Sequence, residues 1–415
     1  MKKLFIIIPL LLAGALLLHQ VVLSDSPSFF HRFTRGTSSS QVAVGANDFA
    51  FRIGAEFVPF FGDENFIMSP FSVWMPLVAL ANATDESHLS ELLEVLGVSG
   101  IDLDDVNATV QQMMSVLISE DDTDPTLLIA NAIFVSDDWR LQSNFVDIFD
   151  FYFNGTAESL DFSSDEAVEI INQWASDNTK GLIDDVIQGI SPEIISVLVN
   201  AIYFSDNWVT EFNPDRTRLD MFTTPSGSVE TYFMIQEWDS DEGVPFFEND
   251  ELQAITLPYV SGGGMTIILP RNGDANELFN RLDKDFFNMI KNQSVEMGGT
   301  LKLPSFSFEN ELDDLAGVLI KMGLPLFDTS GPLTGLAYTT LPVFISDAVH
   351  VALIEVNEEG ATAAAFTAFH LIETSVGPPT FFMNCNSPFI FIIHKELYGS
   401  IPQILFTGVV NDPSA

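Results

Sequence analysis

Chemistry in this chain would have to come from few side chains. Histidine occurs at positions 19, 31, 88, 350, 370 and 394, and there is a single cysteine, Cys385. No G-x-S-x-G elbow raises a nucleophile at a strand-to-helix turn, and no H-E-x-x-H helix presents two imidazoles to zinc. A Cys-x-x-Cys pair is impossible with one thiol, and Cys385 reads as a small buried hydrophobe. Asp328-Thr329-Ser330 partly matches the Asp-Thr-Gly of aspartic proteases, but no second copy exists and serine stands in place of glycine, so a turn accounts for it. Gly262-Gly263-Gly264 lies between two strand-like runs and reads as a hairpin loop, not a phosphate cradle. Nothing assembles a nucleophile, its base and an orienter, so the expectation is a protein that is not an enzyme and needs no metal or cofactor.

The segment that stands out is 356–379, VNEEGATAAAFTAFHLIETSVGPP. Glu358, Glu359 and Gly360 make a charged pivot, since glycine accepts backbone angles that other residues cannot. Eight residues without proline or charge follow. In an extended chain one face would carry Ala361, Ala363, Ala365 and Thr367, and the other Thr362, Ala364, Phe366 and Ala368. The all-small face could slide between strands of a packed sheet without overfilling the core. The same residues would also suit an alanine-rich helix or connector, and composition alone does not separate the two.

The surrounding elements are of two kinds. Apolar residues recur at helical spacing over 47–58, 70–81, 87–96, 166–178 and 312–322. Strand-like runs cover 127–134, 194–204, 254–258, 265–269, 301–308, 349–356, 381–383, 389–393 and 404–410. Several of these are apolar on both faces, as in the middle of a large sheet. Helices dominate the first half and strands the second, which points to an α+β fold rather than repeated βαβ units.

At the start, Lys2 and Lys3 precede the apolar run LFIIIPLLLAGALLL, with Val22 and Ser24 as small residues before Asp25. This reads as a signal peptide over 1–24, with an uncleaved anchor as the alternative; the run is shorter than the ~20 residues that span a bilayer. A polar arm over 25–46 and one large domain over 47–415 are expected, with no linker to divide it. The 58 acidic residues against 16 basic ones give a net charge of −42, which disfavours nucleic acid and anionic lipid as partners and keeps the chain soluble. Sequons at Asn82, Asn107, Asn154 and Asn292 are candidate glycosylation sites on a secreted, extracellular chain.

Short motifs distributed along the chain resemble those of one family in its own order. Asn65 to Ser72 (NFIMSPFS), Asn131 to Phe134 (NAIF), Ile171 to Trp174 (INQW) with Thr179-Lys180-Gly181, and Leu198 to Phe204 (LVNAIYF) with Trp208 are similar to serpin segments. So are Leu257-Pro258-Tyr259, Ile267 to Pro270, Met322-Gly323, Ser387-Pro388-Phe389 and Phe406 to Val410, and Glu355 to Gly360 resembles the hinge of inhibitory serpins. The resemblance implies a fold with three β-sheets, eight to nine helices and an exposed reactive loop over about 358–380. It implies a suicide substrate: a serine protease, or a cysteine one, cleaves the loop, and the loop enters the central sheet before the acyl-enzyme hydrolyses. The covalent partner is the protease and the chain is expected to be a monomer, with no membrane contact once the signal is removed.

In that family the scissile bond commonly lies fourteen residues beyond the hinge glycine. The count gives Thr374–Ser375, with Leu371, Ile372 and Glu373 as alternatives, and suits an elastase-like or chymotrypsin-like target. Ser69, Ser72, Asn200 and His350 match positions that gate sheet opening, and Trp208 matches an aromatic near the loop's point of insertion. Heparin is not expected, because 101–125 is acidic. Several residues depart from the pattern: Ala361 and Thr362 in the hinge, Phe366 on the outward face, Ser305 where a lysine could pair with Glu358, and Pro76, expected to kink or cut its helix. The alternative function is a non-inhibitory serpin, a carrier or storage protein.

Overall fold

The computed structural model describes residues 29–118, 126–239, 243–312, 314–360, 380–397 and 401–415. The signal segment, the hinge residues Ala361, Ala363, Ala365 and Thr367, and the candidate bond residues Leu371, Ile372, Glu373, Thr374 and Ser375 lie outside the described residues.

Most of the chain's strands belong to three sheets. A five-stranded sheet runs in the order Phe306–Glu311, Asp347–Val356, Ser196–Ser205, Thr126–Ser136, Gly155–Leu160. A seven-stranded sheet is centred on Phe389–Leu397 and Gly264–Pro270, and a four-stranded sheet joins Phe381–Asn384, Gly299–Pro304, Gly227–Trp238 and Arg218–Thr224. A two-stranded pair completes the set among the described residues. With nine α-helices among those residues the fold is α+β, as the segment order predicts.

The double-sided apolar runs become the inner strands. Gly264–Pro270 is buried at every position, and Ser196–Ser205 at all but one. The 301–308 run divides at Ser305: Gly299–Pro304 is an inner strand of the four-stranded sheet and Phe306–Glu311 the edge strand of the five-stranded one, with Ser305 N donating to Tyr232 O at 3.0 Å at the crossing. Weakly patterned elements escape sequence reading, among them the helices Leu103–Leu117 and Ser143–Phe153 and the hairpin Arg218–Thr224 with Gly227–Trp238.

Two expectations need correction. The polar arm is, from Phe29 on, the start of the helix Phe29–Phe61. Val42, Ala46, Phe49 and Ile53 are buried at spacings of four, three and four, so a polar sequence outside had concealed an apolar stripe. Pro76 does not cut its helix: Pro70–Ala81 is continuous and buried throughout, started by Ser69, whose hydroxyl accepts from Ser72 N at 3.3 Å.

Candidate functional site

Two clusters meet on the central five-stranded sheet, one beneath it and one at its end. The first is built around Asn200, in the middle of Ser196–Ser205, opposite His350 on the parallel neighbour and Asn131 on the antiparallel one. Alternation along each strand aims all three at the start of the helix Pro70–Ala81. Ser69, Ser72, Asn200, Asn131 and His350 are at most 2% exposed. Ser69 N donates to His350 Nε2 at 3.0 Å, so Nδ1 carries the ring proton and donates to Asn200 Oδ1 at 2.5 Å. Ser72 Oγ lies 2.7 Å from the same oxygen, and Asn200 Nδ2 donates to Asn131 Oδ1 at 2.7 Å and to Ser72 O at 3.1 Å. The Ser69 hydroxyl donates to Leu405 O at 2.6 Å, tying the cluster to the seven-stranded sheet.

Every bonding position on the Asn200 amide is therefore occupied, which offsets the cost of burying it. Burial lowers the His350 pKa to about 3, so the network is neutral at pH 7. Ser69, Ser72, Asn200 and His350 are brought into mutual contact; Asn131 was read only as part of a strand motif, although an asparagine in an otherwise apolar strand was a signal of a buried partner.

The second cluster surrounds the end of Asp347–Val356. Its pairing with Ser196–Ser205 stops at Ala352–Ile202, while both strands continue to Val356 and Ser205. Beyond that point each strand is paired only on its outer side, to Phe306–Glu311 and Thr126–Ser136 respectively. A slot is left between them. Phe204, Tyr259, Met265, Leu353, Ile354 and Val356, among others, line a shallow recess at this place that has no room for a water molecule.

The chain turns back at Asn357 to Gly360, where Asn357 N donates to Gly360 O at 3.1 Å. Gly360 has φ 137°, and a Cβ there would lie 2.3 Å from Asp206 O, so only glycine fits. Trp208 N donates to Glu359 O at 3.0 Å, Phe212 N to Glu358 O at 2.8 Å, and Trp208 Nε1 to Asn357 O at 3.1 Å. Trp208 is 2% exposed and stacks on Tyr259 with centroids 4.6 Å apart. It belongs to this cluster and not to the one beneath the sheet. Among the described residues Glu358 has no lysine partner; its carboxylate accepts from Thr217 Oγ1 at 2.6 Å.

Carboxylates crowd this region. Burial pushes the Glu359 pKa up, with Glu211 and Glu358 adding repulsion. Burial also raises Asp206, although Ser261 donates to it through both hydroxyl and amide. Asp206 was missed by sequence reasoning, because a single acid in so acidic a chain carries no signal.

The sequons divide. Asn154 and Asn292 are exposed, whereas Asn107 is 1% exposed and exchanges amide hydrogen bonds with Asn82 at 2.8 and 3.1 Å. The glycosylation reading of Asn107 is corrected: its amide is a buried clasp between two helix ends. Cys385 is fully buried and burial pushes its thiol pKa up, as suits an inert hydrophobe.

A family model described as serpin (serine protease inhibitor) matches residues 44–413. Serine protease inhibitor 42Dd of Drosophila melanogaster is 32% identical over 357 residues, spanning 85% of this chain and 92% of that protein. The crystal structure of Serpin48 from the insect Tenebrio molitor, described as a highly specific serpin, has a TM-score of 0.79 at 25% identity, covering 90% of this chain and 98% of that one. Human thyroxine-binding globulin complexed with thyroxine shares the fold with a TM-score of 0.79 at 23% identity, covering 91% and 99%.

Proposed function

The chain belongs to the serpin family, and from that premise we propose that it is a secreted inhibitor of serine endopeptidases that traps its target by inserting a cleaved loop into the central sheet. Serpins are protease inhibitors, not enzymes in the catalytic sense, and they bind target proteases. The finer reading rests on one observation, the slot between Asp347–Val356 and Ser196–Ser205 directly below Gly360. These two strands are parallel to one another. A strand returning from Gly360 would run antiparallel to both at once and complete their unpaired edges with the stronger ladder geometry. Ala361, Ala363, Ala365 and Thr367 have the small size such an insertion needs.

The energetic logic is a sheet that lacks a strand. Filling the slot would satisfy backbone groups along both edges and bury apolar surface, so the uncut protein stores free energy that cleavage releases. A protease caught as its acyl-enzyme during this step would be carried along the sheet before water reached the ester. The bond attacked is Thr374–Ser375, and the small β-branched threonine suits the shallow pocket of an elastase-like enzyme. Secretion follows from the signal segment, and glycans would fall on the exposed Asn154 and Asn292.

The test is direct. Protein mixed with pancreatic elastase, then with chymotrypsin, should give a covalent complex that survives denaturation, together with a released C-terminal peptide beginning at Ser375. Cleavage by a panel of serine and cysteine proteases without any adduct would replace this reading with that of a carrier whose loop is cut but not inserted.

A further inference from the structure

A proline inside a helix has no N–H, so the carbonyl four residues earlier loses its helical donor. In the helix Pro70–Ala81 that proline is Pro76 and the carbonyl is that of Ser72. Both residues are buried, where an unmade bond is costly. The freed carbonyl is taken by a side chain from another element: Asn200 Nδ2 donates to Ser72 O at 3.1 Å. With Asn131 Oδ1 on its other N–H and Ser72 Oγ and His350 Nδ1 on its oxygen, Asn200 is held at all four positions, and one of the four goes to the carbonyl that Pro76 leaves without its helical donor.

We propose that Pro76 is a positioning residue for the opening of the central sheet: by leaving the Ser72 carbonyl free, it fastens Asn200, and with it the junction of Ser196–Ser205 and Asp347–Val356, to the helix beneath. This rests on the reading of that junction as the place where the sheet admits a strand. Pro76 acts only through Asn200. With alanine at 76 a backbone N–H would reach the Ser72 carbonyl in ordinary helical geometry and compete with the side-chain amide. The other acceptor near that amide, Ala130 O, is 3.4 Å away and a poor substitute.

The consequence runs against simple helix propensity. Replacing an interior proline by the best helix former should tighten the helix, yet here it should loosen the sheet above. Hydrogen exchange of the full chain, followed at the backbone amides of 197–202 and 347–352, separates the two effects. Pro76→Ala should speed exchange at these amides about five- to tenfold, the size expected for losing one buried hydrogen bond. In an Asn200→Ala background the same change should add nothing further. Where Asn200→Ala does not accumulate as folded protein, Asn200→Leu serves, since it fills nearly the same space and removes the donor. Exchange that is unchanged or slowed by Pro76→Ala, or speeded equally with and without Asn200, overturns the proposal. Coupling between the two residues in a protein that traps no protease would uphold the role of Pro76 while removing the inhibitory reading.

Discussion

The two clusters on the central sheet are held in opposite ways. Beneath the sheet, Ser69, Ser72, Asn200 and His350 form a neutral network in which each group on Asn200 has a partner. At the hinge, the backbone of 357–360 is well bonded to 206–212, but the side chains around it work against one another. Glu211, Glu358 and Glu359 repel, and Asn207 Oδ1, Tyr259 OH and Glu359 Oε2 are buried without a hydrogen-bond partner. A satisfied neutral network resists opening until it breaks as a unit. A backbone dock surrounded by mutually repelling carboxylates sits closer to release. The contrast fits the proposed loop insertion, in which the sheet stays shut until the hinge lets go.

The largest expected effect comes from breaking the hinge's one steric requirement. Gly360→Ala would place a methyl group 2.3 Å from Asp206 O at a backbone angle that only glycine adopts comfortably. It should destabilise the native protein by about 2–3 kcal/mol, read by denaturant unfolding. Stability within 1 kcal/mol of the parent would mean that the dock is not held as described.

A smaller effect probes the network. His350 titrates near pH 3 when folded and near 6.5 when unfolded, so between these values the unfolded chain binds more protons. Its contribution is complete above pH 6.5 and is lost as the pH falls, by about 1.4 kcal/mol per unit. Asp206 and Glu359 titrate with the opposite sign, so the useful quantity is a difference. The stability of the parent relative to His350→Gln should fall by about 2 kcal/mol between pH 6.5 and pH 5. A difference independent of pH would show the imidazole to be accessible to protons in the native state.

The network was far more legible in sequence than the hinge's electrostatics. Strands 196–205 and 347–356 announce themselves by mostly apolar runs, and the polar residues inside them, Asn200 and His350, stand out as needing partners. Asn131 carries the same signal. Helix Leu103–Leu117 was not read because its buried face mixes Asn107 and Thr109 with apolar residues, and the helix Phe29–Phe61 because its stripe runs under a polar surface. The roles of Asp206 and Glu211 depend on which acids the fold brings together, and 58 acidic residues in one chain give no way to choose among them. Pro76 shows the limit of a local rule: it was expected to damage the helix, and its missing donor is instead supplied from a strand 124 positions away, at Asn200.

The smallest effect sharpens the contrast by its sign. Glu359 is raised above its ordinary value by desolvation and by Glu211 and Glu358, so the docked hinge binds protons more readily than the released one. Its stability is favoured at low pH and lost as the pH rises through the raised value, the reverse of His350. Glu359→Gln removes this opposition at neutral pH while keeping the shape of the side chain and both backbone bonds that Glu359 makes, to Trp208 N and Asn357 Oδ1. At pH 7 the variant should hold its hinge more firmly and form the covalent protease complex more slowly than the parent; in acid, where Glu359 is protonated, the two proteins should unfold alike. A variant that trapped protease faster at pH 7 would show that the carboxylate stabilises the dock, and the distinction between a satisfied network and an opposed hinge would fail at the hinge.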